Sequence, residues 1–181
     1  RDVAVTGVQT CALPIFMFRF LMQAESDFAI RLSEAEGGDL RNAIPRESYA
    51  VVLVPAAKAS SFKKFIKGYE QMYRAEFSET EPDLSFTAQK VDVPARVMKS
   101  SDQYKIIRAV FACPNGVQRM SQAMKGLVET SNNLAIVRCV NGNFETHCLT
   151  RSSVDSSKEA TAWKIAAVFH LIGAEVKLSG S

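Results

Sequence analysis

The chain has 181 residues, 47% hydrophobic and 23% charged, with a formal net charge of +3. That composition fits an ordinary soluble globular protein, long enough for one domain with a real core or for two small lobes. Acids and bases are interspersed, no basic run marks a nucleic-acid face, and beyond the first 15 residues no apolar stretch reaches membrane-span length, so neither nucleic acid nor membrane is expected as a partner.

In chain order, the first 15 residues stand apart. Residues 5–15, VTGVQTCALPI, back-translate to a run that resembles a widely used sequencing-adapter primer. Residues 1–15 are therefore read as adapter-derived and set aside from fold reasoning. Residues 16–181 are read as the genuine domain fragment, with its N-terminal part expected to be missing. Cys113, Cys139 and Cys148 remain, without paired spacing. They suggest a reducing, cytoplasmic setting rather than a disulfide framework.

Residues 16–23 read as the end of an amphipathic helix. Phe28, Ile30 and Leu32 have strand periodicity, EGGD at 36–39 is a turn signal, and 40–44 is a short extended piece stopped by Pro45. Tyr49, Val51 and Leu53 alternate as a further strand. Phe62, Phe65, Ile66, Tyr69, Met72, Tyr73 and Phe77 form one helical stripe that Ser60 or Ser61 can cap. Lys63, Lys64 and Lys67 fit the solvated face of that helix. Residues 83–91 read as a strand, and Ser100 or Ser101 opens a helix that ends at CPNG. Residues 128–140 and 144–152 flank NGN, the preferred chemistry for a tight hairpin turn. Ser156 and Glu159 have capping-box spacing ahead of a helix running through Trp163, Ala166, Ala167 and His170 to Gly173, and 175–178 starts another strand. The expected fold is α+β, with antiparallel sheets and helices packed on one face in two hairpin–helix lobes.

No HExxH, CxxC or Gly-rich phosphate loop occurs. His147 and Cys148 are strand neighbours whose side chains point to opposite faces, so they do not readily share a metal. His170 reads as a half-buried structural histidine, and the three cysteines have no clear activating partner. Two stretches carry more. In GGDLRNAIPRE, residues 37–47, the glycines permit a turn or a close approach, and Pro45 holds Asn42 near a strand end with its amide available. In ETHCLTRSSVD, residues 145–155, Arg151 ends a strand and can offer a planar fork to a carboxylate. On spacing alone, Asn42 also fits a simple turn closure and Arg151 a surface ion pair.

GGDLRNAIPRE, CPNGVQRMSQAMKGLVETSNN and FETHCLTRSSVDSSKE together resemble the lid (dimerisation) domain of the aminoacylhistidine dipeptidases, or cytosolic non-specific dipeptidases. These are zinc metallopeptidases related to aminoacylase and carnosinase, and the resemblance runs over residues 16–181. It implies a cytoplasmic enzyme that hydrolyses unblocked dipeptides, Xaa-His and broader, and works as a homodimer. It also implies two zinc ions and a carboxylate general base in a catalytic domain outside this fragment, which itself holds no catalytic or metal-ligating residue. Asn42 matches the asparagine of the family's RNAIP motif and Arg151 the arginine of its HCLxRS motif. The resemblance makes both substrate-binding residues for the dipeptide's C-terminal end, with Asn133 of TSNN as a reserve candidate. The alternative is a non-catalytic dimerisation or small-ligand-binding module.

Overall fold

The computed structural model describes residues 3–10 and 14–179. The elements are β1 (Val3–Thr10), α1 (Pro14–Phe28), β2 (Arg31–Gly37), β3 (Ser48–Pro55), α2 (Ala59–Glu76), β4 (Phe86–Lys90), α3 (Ser100–Ala112), β5 (Gly116–Met120), β6 (Val128–Val140), β7 (Asn143–Ser152) and α4 (Asp155–Leu171). The fold is α+β. β1 falls in the stretch read as adapter-derived, and Cys11 lies outside the described residues.

The strands form one antiparallel sheet in the order β4-β1-β3-β2-β6-β5, with β7 also on β6. Val137 of β6 pairs with Gly37 of β2 and with Thr146 of β7, so these two strands flank opposite edges of β6. β5 pairs with the beginning of β6, over Val128–Asn132. The two expected lobes thus share a continuous sheet, joined where Ala35, Glu36 and Gly37 meet Cys139, Arg138 and Val137. Sequence periodicity marks strands but carries no signal for this non-local pairing.

All four helices pack on one face. Ala50, Val52 and Val54 of β3, Leu32 and Ala35 of β2, and Val137 and Cys139 of β6 turn inward and belong to the same core as Phe20, Phe62 and Ile107. Phe20 of α1 is the centre of a ring cluster, with centroids 5.9 Å from Phe62, 5.4 Å from Phe65, 5.3 Å from Tyr69 and 4.8 Å from Phe86. Each such pair adds about 0.5–1.5 kcal/mol beyond area burial. Phe144 of β7 meets Phe169 of α4 at 5.9 Å, extending the core under the second hairpin.

Several local expectations shift. Phe28 ends α1 rather than opening a strand, because Ala29 takes a left-handed φ of 54° and stops the helix. Residues 40–44 form a turn, not an extended piece, and 175–178 carry no strand. Lys58, not Ser60 or Ser61, is the N-cap of α2, and Ser61 Oγ donates to Lys58 O instead. α3 is capped by Lys99 and α4 by Val154, neither with a side-chain cap bond. The buried stripe of α4 is Thr161, Ile165, Ala166 and Phe169, which leaves Trp163 and His170 exposed. β5 has no sequence signal because all five of its residues are exposed and none marks an inner face.

One polar group ties α1, α3 and β2 together. Gln103 of α3 is 2% exposed. Its Oε1 accepts from Leu32 N at 2.7 Å, and its Nε2 donates to Glu25 Oε1 at 2.8 Å and Ile30 O at 3.0 Å. Arg108 Nη1 donates to the second oxygen of Glu25 at 2.5 Å. Replacing Gln103 with Leu strands the Leu32 N–H and the Ile30 carbonyl. The expected loss is roughly 2–4 kcal/mol of folding stability, read from the midpoint of a urea unfolding curve.

Candidate functional site

On the face of the sheet opposite the helices, the β6–β7 hairpin carries the candidate residues Asn133 and Arg151. Asn141 and Gly142 sit at φ 54° and 81°, the two positive values that a two-residue turn needs. From that turn the strands pair in register until Ala135, an extra residue between Leu134↔Cys148 and Ile136↔His147. The bulge reverses which face each residue takes. Before it, Ser131 and Asn133 face outward. After it, Ile136 and Arg138 do. Their partners Arg151, Leu149, His147 and Glu145 share that outer face.

The 38–47 loop lies on this surface and is held near both ends. Gly38 has φ +77°, and a Cβ there would stand 1.9 Å from Ala135 O, so only glycine lets the loop lie against the bulge. Arg138 Nη2 is 3.8 Å from Asp39 Oδ1. Asn133 Nδ2 donates to Ala43 O at 2.7 Å, and Ala43 N donates to Leu40 O at 3.2 Å to close the turn. Pro45 is buried beneath the loop's far end.

Asn42 is exposed in this turn, one residue before the pinned Ala43 carbonyl. Arg151 is exposed opposite Ser131, two residues along β7 from Leu149, the partner of Asn133. Two strand residues span about 7 Å. Asn133, the reserve candidate, thus links the Asn42 turn to the strand pair that carries Arg151. Among the described residues, neither Asn42 nor Arg151 has a side-chain hydrogen bond or ion pair. The surface ion pair considered for Arg151 is absent there, and its guanidinium faces outward. Neither residue lines the open cavity of about 1250 Å³ along β7 and α4, nor the one of about 480 Å³ bounded by residues 36–49.

Farther along the outer face, Arg138 lies across from Glu36 of β2 and Glu145 of β7. Glu145 is in contact with His147 Nε2, and that hydrogen bond, followed by the charge of His147 and then of Arg138, holds the Glu145 carboxyl below the usual carboxylate range. Cys148 points the other way, as strand alternation requires, and meets Cys113. No local pattern announces this contact, because the two cysteines stand 35 positions apart. Burial pushes the Cys139 thiol up to about 12, which leaves it inert. Among the described residues no three His, Cys, Asp or Glu side chains converge to hold a metal ion, so their donor set does not fit a zinc centre.

No protein-family model matches the chain. The cytosol non-specific dipeptidase of Escherichia coli (strain K12) is 37% identical to it over 167 residues, which is 91% of this chain and 34% of that protein. The crystal structure of aminoacylhistidine dipeptidase from Vibrio alginolyticus superposes with a TM-score of 0.95 at 30% identity, covering 98% of this chain and 40% of that one. The chain is homologous to part of a cytosol non-specific dipeptidase. It spans about a third of the length of the Escherichia coli dipeptidase. The dipeptidase homology and the shared fold agree with the resemblance carried by the RNAIP and HCLxRS stretches.

Two outcomes test the surface. Asn133→Ala removes the bond that pins Ala43, at a cost of about 0.5–1.5 kcal/mol, so the amides of residues 38–44 should exchange with solvent faster while those of α1 do not. In His147→Ala, the Glu145 pKa, followed by carboxyl NMR, should rise toward the ordinary value. Because the folded pKa is depressed, the stabilising contact with His147 is present above the unfolded carboxylate pKa and is lost as pH falls through the folded one.

Proposed function

We propose that residues 16–181 are the lid and dimerisation segment of a zinc-dependent, cytoplasmic dipeptidase, and that Asn42 and Arg151 hold the C-terminal carboxylate of an unblocked dipeptide. The observation that carries this reading is the pinned turn: Asn133 fixes the Asn42 loop onto the strand pair that presents Arg151, which has no side-chain partner among the described residues. Homology to a dipeptidase over 91% of the chain supports it. Arg151 supplies a planar two-donor fork that matches a carboxylate, and the Asn42 amide supplies a further donor. Both groups stand on an open face and not in a closed cavity, so the peptide is gripped against a second surface that also shields it from water.

In this reading the two zinc ions and the general base belong to residues outside this chain. The work of this chain is to bind, orient and cover. The outer edge of β7 has no strand partner among the described residues, which suits contact with a second protomer. In this reading residues 1–15 are adapter-derived in origin. Strand pairing uses only backbone N–H and C=O groups, so a foreign run containing VAVTGVQT can occupy the β1 position.

In a full-length dipeptidase carrying this segment, Arg151→Ala removes a charge-assisted contact of about 1.5–3 kcal/mol. The expected fall in kcat/KM for free dipeptides is roughly ten- to a hundred-fold. C-terminally amidated dipeptides should show little change, since they present no carboxylate. An unaltered kcat/KM for free dipeptides overturns the role given to Arg151.

A further inference from the structure

Cys113 caps the C-terminus of α3, and Cys148 lies in the middle of β7 on the helix-facing side. Their sulfur atoms are 3.7 Å apart. Polar bonds hold the surrounding backbone. Asn132, 2% exposed, donates from Nδ2 to Pro114 O at 2.6 Å and accepts from Thr150 Oγ1 at 2.9 Å. Asn115 Oδ1 accepts from Leu134 N at 2.8 Å. The segment after α3 is thereby stapled to β6, and β6 to β7, next to the two thiols. A disulfide needs about 2 Å between sulfurs, so closing the gap takes less than about 2 Å of motion, within reach of side-chain rotation.

The two thiols are not equivalent. Cys113 is buried, whereas Cys148 is half-buried and lines the open cavity along β7 and α4. A small oxidant therefore meets Cys148 first. The contact with Cys113 lowers the Cys148 thiol against the opposing effect of burial, aided by a hydrogen bond involving the Asn132 side chain, while the same sulfur contact and burial raise Cys113. Cys148 has the access of an attacking thiol, and Cys113 the buried, adjacent position of a resolving one.

We propose that Cys113 and Cys148 form a redox-active dithiol, oxidised reversibly to a disulfide by hydroperoxides. The Cys148 thiolate attacks one oxygen of hydrogen peroxide, giving Cys148 sulfenic acid and hydroxide. Cys113 sulfur then attacks the sulfenic sulfur, the S–O bond breaks, and the departing oxygen takes up the Cys113 proton and leaves as water. The two sulfurs are oxidised and the peroxide is reduced. The product bond ties the end of α3 to β7.

The test is a thiol map of the 181-residue chain after treatment with hydrogen peroxide, alkylation and digestion. The expected result is a Cys113–Cys148 cross-linked peptide that dithiothreitol restores to two thiols, with Cys139 alkylated throughout. In Cys113→Ala, Cys148 sulfenic acid should accumulate and be trapped by dimedone. In Cys148→Ala, Cys113 oxidation should slow by about tenfold or more. The map of the unsubstituted chain decides the matter even if a variant folds poorly. Cross-links from Cys148 to Cys11 or Cys139, or both members of the pair still reduced while Cys139 is oxidised, overturn the proposal.

Discussion

The architecture depends on the backbone of β6 being shared. This strand pairs with β7 along one edge from Thr130 to Val140, apart from the bulge at Ala135, and with β5, then β2, along the other. Remove the β2–β6 register and the sheet falls into two pieces, each with an unpaired edge. That joint makes a single core out of two hairpin–helix units. It brings Cys139 and Val137 into the same apolar interior as Leu32, Val52 and Phe20. Gln103 fixes the helices above the joint by filling three backbone and side-chain partners at once.

The same strand explains the site. An uninterrupted strand would send Asn133 and Arg138 to opposite faces, since they are five residues apart. The extra residue at Ala135 puts both on the outer face. One of them then holds Ala43 and the other stands beside Asp39, so a single irregularity grips the loop from two sides. Gly38 fits onto the bulge carbonyl between these anchors. Loop, bulge and glycine form one unit, and Asn42 is displayed by it.

Much of this is legible in the residues. The stripe from Phe62 to Phe77, the Asn–Gly hairpin and the Gly173 stop each obey a local rule, and each element stands where the rule puts it. The paired glycines at 37 and 38 permit close approach, and Gly38 does lie against another strand. Features that depend on distant chain are not legible. These are the β2–β6 joint, the exposed β5, the exposed side of α4 bearing Trp163 and His170, and the contact between Cys113 and Cys148. Helix caps fail for a different reason: serines are available at each start, but the chain enters each helix a residue or more earlier. That Asn42 and Arg151 act together is read from the motif resemblance alone.

The bulge also constrains how this segment changes over generations. Point substitutions in β6 disturb one side chain at a time, but losing or gaining a single codon near Ala135 would invert the inside–outside phase of every residue between it and the strand's start. Asn133 would be driven into the apolar interior and Leu134 into water. Lineages carrying this hairpin should therefore diverge by replacement while keeping its length unchanged.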